Sequence, residues 1–365
     1  MSANYFQKDD VLKFMRQNYQ LANDEQPKNF KSAHWDIFNK NFDRLFDLRP
    51  AWDRMLRNAL TLGFNDSLIG ISNQRFRANK DNLWSDLQSG DMKDLVSDNK
   101  DKKEIEKEKA LFSQTIAATD LDFVVKNCIT NVGNPIVTRF NLTRDGETLN
   151  ANFNWHDVGD LYHAWLILSH LKHLKHSSPI ICEIGGGFGG FIAKIKSNVK
   201  GAKIILLDLP EVNACQSYYL SQVFSEAIIY GYGDFLEKGM SIFDADFDFL
   251  VLPGWAVQQL PKELVDVYVN IRSMMEMSKE NLNFYFDLIQ TSLKLGGIFA
   301  CFNRYQKRVG SFENKFMFYP FDNDWETLMS QPSLFQPHIH QLILKRMKEK
   351  SGYNFKERLG KILQK

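Results

Sequence analysis

Apolar residues recur along this chain in two rhythms, and the change between them falls near residue 150. Before it, as in "WDIFNKNFDRLFDL", Phe38, Phe42, Leu45 and Phe46 stand at the three-and-four spacing of one helix face. Residues 1–150 therefore read as a mainly helical module, and residues 151–365 as a second unit. In the second unit "DVGDLYHAWLILSHLKHLKH" carries a helical stripe through Leu161, Ala164, Trp165, Leu168 and Leu171, closed by Ser177, Ser178 and Pro179. Short apolar runs follow, Ile180 to Ile184, Lys203 to Leu207, Ala227 to Tyr230, Phe247 to Leu252 and Gly297 to Phe302, each separated by a helical segment. Near-continuous apolar strands alternating with helices predict an α/β fold, with a parallel sheet covered on both faces. "HIHQLILKR" (338–346) supplies a last strand, expected antiparallel at or near an edge.

Composition narrows the function classes. Forty-five basic against forty-four acidic residues leave a formal charge of +1, so no long nucleic-acid footprint is expected. No apolar stretch reaches the roughly 20 residues that cross a bilayer, and the charged N-terminus lacks the pattern of a secretory signal. Cys128, Cys182, Cys215 and Cys301 are far apart with no CxxC pair, which suits reduced thiols in a cytoplasmic protein. The charged run "SDNKDKKEIEKEKALF" (97–112) reads as a solvated helix or linker.

The segment "ICEIGGGFGGF" (181–191) places five glycines between a strand and a helix, where backbone approaches a ligand closely. One register, Gly185, Gly187 and Gly190, fits the dinucleotide pattern G-x-G-x-x-G; another, Glu183, Gly185, Gly187 and Gly189, fits acid-x-G-x-G-x-G. The acid decides between them. A pyrophosphate over the helix N-terminus would be repelled by Glu183, whereas the sulfonium and ammonium of S-adenosylmethionine are attracted to it. A second strand ends in Asp208, placed to accept hydrogen bonds from ribose hydroxyls, with Leu209 and a helix after it. "YGYGDFL" then offers Gly233, Asp234 and Phe235 past a third strand, within expected reach of an adenine.

These residues, "EIGGGFGGF" (183–191), "LLDLPEV" (206–212) with "YYL" (218–220), "GDF" (233–235) and "LKLGGIFACFNRY" (293–305), resemble the class I S-adenosylmethionine-dependent methyltransferases, and within them the sugar O-methyltransferases. The resemblance covers roughly residues 150–305. It implies a Rossmann-like seven-stranded sheet with the donor over the first two strand ends. It also implies an acceptor sugar, from a glycan, glycolipid precursor or nucleotide sugar, held by loops after strands four and five and by N-terminal elements. By the same resemblance Glu183, Gly185 and Gly187 line the methionine part, Asp208 the ribose, and Asp234 with Phe235 the adenine. After the expected fourth strand the chain reads "LPGW" rather than the Asn-Pro-Pro-Tyr type motif of amino-methylating enzymes.

A sugar hydroxyl is a poor nucleophile at neutral pH, so a general base, or a metal lowering the hydroxyl pKa, is expected. His156, Asp160 and His163 of "NWHDVGDLYH" are the candidates, because the helix entering the first strand begins near the strand C-terminal edge. Asp157 is expected to cap that helix. His170, His173 and His176 stand three apart with no carboxylate to complete a metal site, and no metal is assigned. His338 and His340 alternate on the last strand and are expected at an exposed edge. For the acceptor the candidates are Trp255, Gln258 and Gln259 after strand four, and Asn303, Arg304 and Tyr305 after strand five: an aromatic platform with amide and guanidinium donors. The expected activity is O-methyl transfer to a sugar. A non-sugar O-methyltransferase, a nicotinamide oxidoreductase and a catalytically silent scaffold are the alternatives, and the N-terminal module is a candidate surface for substrate or homo-oligomer contacts.

Overall fold

The computed structural model describes residues 8–27, 30, 46, 52, 56, 102–128, 131–133, 138–144, 147–153, 155–172, 178–258, 260–309, 312–348 and 354–363. In chain order the helices are α1 (Lys8–Asp24), α2 (Lys102–Ala118), α3 (Leu121–Asn127), α4 (Trp155–Leu171), α5 (Gly190–Asn198), α6 (Pro210–Val223), α7 (Tyr232–Lys238), α8 (Lys279–Ser292) and α9 (Phe355–Leu363). A hairpin, β1 (Thr138–Arg144) and β2 (Glu147–Phe153), precedes α4 and runs across residue 150. The central sheet is built from β3 (Ile180–Ile184), β4 (Lys203–Asp208), β5 (Ile229–Tyr230), β6 (Phe249–Pro253), β7 (Val265–Ile271), β8 (Leu293–Arg304), β11 (Trp325–Pro332) and β12 (Ile339–Arg346), with the small hairpin β9 (Gln306–Val309) and β10 (Phe312–Lys315) beside it.

The strand order is β11-β12-β8-β7-β3-β4-β6-β5. The six strands from β8 to β5 are parallel, and β12 runs antiparallel to β8 and β11. Alternation along the strands feeds two cores. Ile181, Ile204 and Leu206 face α4, α5 and α6, while Cys182, Ile184, Ile205 and Leu207 face α8 and the C-terminal aromatics Trp325 and Phe355. A sheet buried on both sides in this way explains why its strands read as apolar runs.

Besides the two hairpins, two strands of the central sheet were not expected, and that sheet has eight strands rather than seven. β7 lies beside β3 and displaces β6 to the far side of β4. Its run "VDVYVNI" was obscured by Asp266 and Asn270, yet both polar groups are satisfied inside the fold. Asp266 accepts from the Ile180 N–H at 2.8 Å and from Lys294 at 2.9 Å, and Asn270 donates to the Ile184 carbonyl at 2.8 Å. The other addition, β11, forms the edge beyond β12. β12 is antiparallel as expected but is covered by β11, so His340 is buried rather than at an exposed edge.

The N-terminal residues pack onto the sheet. Val11, Met15, Tyr19, Phe46 and Trp52 share one core with the face that bears α6, and Trp52 lies 5.6 Å from Tyr218, ring to ring. Phe38, Phe42 and Leu45 lie outside the described residues. The charged run of α2 is not free in solvent: Phe112 stacks on Phe153 with centroids 3.9 Å apart, and Glu108 is buried. Asp157 does more than start α4. Its carboxylate meets Lys194 of α5 at 2.9 Å with both side chains fully buried, tying the helix before the glycine strand to the helix after it.

Candidate active site

At the C-terminal end of β3 the chain turns through Gly185, whose N–H donates to the Leu207 carbonyl of β4 at 2.9 Å. Gly185 has φ +72°, and a Cβ there would fall 2.1 Å from Ser273 Oγ, so neither its conformation nor its space admits a side chain. Gly187 has φ +57° with nothing within 4 Å of a Cβ: its conformation requires glycine while the space above it is open. That open space belongs to a cavity of about 450 Å³, bounded on this side by Glu183, the glycine turn, Asp208 and Cys215.

This end of the cavity is acidic. Glu183 is buried, and its Oε2 has no hydrogen-bond partner. Burial pushes its pKa well above the usual carboxylate range, and the charges of Asp160 and Asp208 push it further. Gly186 lies against it: a Cβ there would sit 2.6 Å from the carboxyl group. Burial also pushes Asp208 up to about 7, although four donors oppose it: the N–H groups of Leu209, Gly187 and Gly186 and the Gln216 amide. The Leu209 N–H reaches Oδ1 at 2.9 Å and Gln216 Nε2 reaches Oδ2 at 3.1 Å. The third carboxylate, Asp160, packs on the start of α5, where a Cβ on Gly190 would meet its Oδ2 at 2.7 Å. Three carboxyl groups this close favour a positively charged occupant.

The rest of the lining comes from four separate segments. Val158, Gly159, Asp160 and His163 arrive on α4; Arg272, Ser273, Met275 and Glu276 follow β7; Ser333, Phe335 and Gln336 lie between β11 and β12; Lys107 and Leu111 come from α2. The His163 ring lies 5.3 Å from that of Phe302. Burial, then the charge of Arg272, lower its pKa to about 3, so it is neutral at physiological pH. Below this lining Asn270 and Asn303 lock the strand ends together. Asn303 donates to Asn270 Oδ1 at 2.8 Å and accepts from the Met275 N–H at 3.0 Å.

Of the residues singled out from sequence, the structure brings Asp160, His163, Glu183, Gly185, Gly187 and Asp208 to this cavity. His156 is in the first turn of α4, and its side chain is outside the described residues. Gly189 instead caps α5 in a left-handed conformation, and Leu209 caps α6 ahead of Pro210. The other expected ligand contacts lie off the cavity. Gly233 donates its N–H to Asn18 Oδ1 of α1 at 2.7 Å, Asp234 accepts the Gly231 N–H at 2.8 Å to cap α7, and Phe235 packs on Phe243. They lie beyond β6 because β6, not β5, neighbours β4. Trp255 packs against Tyr232 at 5.3 Å; Gln258 is exposed, and Gln259 is outside the described residues. Asn303 is held by the strand-end network, and the Tyr305 hydroxyl bonds His340 Nδ1 at 3.0 Å. Arg304 ends β8 with its Nε buried and without a hydrogen-bond partner.

His170 bonds the Leu166 carbonyl through Nδ1 at 2.8 Å, while His173 and His176 are outside the described residues. Among the described residues no group of three or more His, Cys, Asp or Glu side chains is arranged to hold a metal, and no helix is long and apolar enough to cross a membrane. The segment missed most completely is "NIRSMMEM": it follows an unrecognised strand, and the only hint was an arginine and a serine after an alternating apolar run.

Residues 131–275 match the model of the O-methyltransferase domain family, a span that includes the glycine turn, Asp208 and the loop after β7. This part of the chain is similar to an O-methyltransferase domain. No curated protein sequence matches the chain. Among solved structures it is similar to the mitomycin 7-O-methyltransferase MmcR, at 14% identity over 53% of this chain and 57% of that one, with a TM-score of 0.33. An O-methyltransferase family 2 protein of Planctomyces limnophilus, solved with apigenin, has 12% identity over 46% and 51%, TM-score 0.33. The pyocyanin biosynthetic protein PhzM has 11% identity over 53% and 57%, TM-score 0.32. The chain thus spans little more than half the length of each.

Proposed function

We propose that this protein transfers a methyl group from S-adenosylmethionine to a hydroxyl of a small polar molecule, with a sugar as the acceptor class. The observation that carries the donor assignment is Glu183: a buried carboxyl with one oxygen unpartnered, beside an open glycine turn and two further carboxyls. A cationic, phosphate-free adenosine compound fits that environment, and a pyrophosphate does not. Glu183 and the turn at Gly185 and Gly187 would hold the methionine part, and Asp208 the ribose. Because β6 adjoins β4, Gly233, Asp234 and Phe235 stand away from the cavity, and the adenine end is assigned to Val212 and Cys215, which line it beside Asp208.

S-adenosylmethionine supplies an electrophilic methyl on a sulfonium; alignment, water exclusion and removal of one proton fall to the protein. Neutral His163 accepts a hydrogen bond and orients the hydroxyl, and Asp160 on the same helix is the proposed proton acceptor, with His156 as a further candidate. A sugar is supported by the polar groups of the rest of the lining, Ser273, Glu276, Ser333 and Gln336, together with one aromatic ring, Phe335.

Isothermal titration with S-adenosylmethionine, S-adenosylhomocysteine and a nicotinamide dinucleotide tests the donor reading. The first two are expected to bind and the third not; binding of the dinucleotide alone reverses the assignment. Transfer of labelled methyl into fractionated cell glycans and small metabolites tests the acceptor. Label confined to aromatic metabolites would replace the sugar.

A further inference from the structure

The cavity is lined by Arg272, and a second arginine, Arg304, ends the neighbouring strand behind it; neither forms an ion pair among the described side chains. Arg272 follows β7 and Arg304 ends β8, and the strands are neighbours: Ile271 pairs with Phe302, whose carbonyl accepts the Arg272 N–H at 2.8 Å. By alternation Arg304 shares the sheet face of Phe302, the face on which His163 sits. Arg272 lines the cavity, and Ile339, which pairs with Arg304, begins the strand after the loop that holds Ser333 and Gln336.

Neither guanidinium makes an ion pair among the described residues, and the buried Nε of Arg304 has no partner. The nearest carboxylate in sequence, Glu276, is engaged by Lys307. Burial, then the charge of Arg304, lower the pKa of Arg272, and the charges of Glu276 and Asp160 oppose them only in part. Arg272 also adopts φ +67°, a left-handed conformation that side-chain-bearing residues rarely take and that clusters at functional sites. Two partly buried like charges held together are costly unless an anion joins them.

We propose that Arg272 and Arg304, with Ser333 and Gln336, form an oxyanion subsite, so that the acceptor carries a carboxylate or phosphoryl group besides the hydroxyl that is methylated. Arginine forks fit both anions through paired N–H donors, and serine and glutamine add neutral donors. The subsite deepens the methyltransferase reading and rests on it for the word acceptor.

The test is calorimetric titration of inorganic phosphate and of acetate into the full chain, with and without saturating S-adenosylhomocysteine, for wild type, Arg304→Gln and Arg304→Lys. Saturable anion binding is expected, weakened at least about tenfold in Arg304→Gln and partly restored in Arg304→Lys. Adenosylhomocysteine affinity stays within about twofold throughout, which also reports that the variants are folded. The stronger of the two anions identifies the group. Absence of saturable binding by either anion, equal binding in Arg304→Gln, or competition between phosphate and adenosylhomocysteine overturns the proposal. Competition would give the arginines to the methionine carboxylate of the donor. Arginine-dependent phosphate binding without any adenosylhomocysteine binding would keep the oxyanion subsite and remove the methyltransferase reading.

Discussion

The two ends of the cavity differ in charge and in how they are built. At the glycine turn, Glu183, Asp208 and Asp160 gather around bare backbone, and two of the three come from adjacent parallel strands. Away from the turn, Arg272 and Lys107 line the cavity from a strand end and a helix more than 150 residues upstream, and Arg304 stands behind Arg272 at the end of the neighbouring strand. A cation at one end and an anion at the other are what this arrangement favours, and the two ends should respond oppositely to mutation. In the proposed reaction the acidic end takes the methyl donor and the basic end takes what receives the methyl.

The largest effect is expected where the acidic end is anchored. Lys194→Met removes an ion-pair partner of buried Asp157 and weakens the tie between α4 and α5. Breaking such a pair costs about 3–5 kcal/mol, to be read from the urea midpoint, and both ends should fail together. A loss below about 1 kcal/mol would mean that Asp157 is satisfied elsewhere.

Next in size, and confined to one end, is Asp208→Ala. Loss of a hydrogen-bonded carboxylate costs about 1.5–3 kcal/mol, or roughly 10- to 150-fold in donor affinity. Phosphate binding at the arginines should be unchanged. Glu183→Gln provides the charge control: it should weaken S-adenosylmethionine more than the uncharged sulfide S-adenosylhomocysteine. Equal losses for the two would remove the cation from the argument.

A smaller, graded effect follows from the Asp208 pKa, raised by burial to about 7. Between about pH 4 and 7 the unfolded chain has released this proton and the folded chain retains it, so the group favours the folded state below its unfolded pKa and that contribution is lost as pH rises through 7. Donor binding has the opposite slope. A cation selects the carboxylate form, so affinity should rise with pH up to about 7, with proton release visible in buffers of different ionisation heat. Asp208→Asn should flatten that slope, leaving only what Glu183 contributes. An unchanged slope would assign the titration to another group.

The same contrast explains what could be read from sequence. The acidic end was legible because its parts are local: glycines in succession, an acid two residues before them, and an acid at the end of the next apolar strand. The rest of the lining was not. Arg272 follows a strand whose alternation is interrupted by Asp266 and Asn270, polar residues that only their partners in the fold explain. Missing that strand left β6 in its place as the fourth strand, which is why Trp255 was expected beside the acceptor, while Gly233, Asp234 and Phe235 were expected beside the adenine because β5, not β6, was taken as the neighbour of β4. Asn303 looked like a ligand contact because its type suits one, but its hydrogen bonds are spent on Asn270 and Met275. Residue type was legible; which groups were already occupied was not.

The smallest predicted effect tests whether a charged helix belongs to the site at all. Lys107 is in the run that sequence alone assigns to solvent, yet α2 is fastened to the β1–β2 hairpin by the Phe112–Phe153 stack, and Lys107 and Leu111 reach the cavity mouth. The lysine is exposed, so its charge is screened, and its contribution is about 0.2–1 kcal/mol. Lys107→Ala should therefore raise the apparent phosphate dissociation constant less than about fivefold. The effect should fade between low and physiological salt, because it acts through water over about a Debye length. Donor affinity should not change, since the acidic end lies across the cavity. A salt-independent loss would instead mean that Lys107 touches the anion directly and that the mouth closes over it, while no change at low salt would confine the basic end to the two arginines.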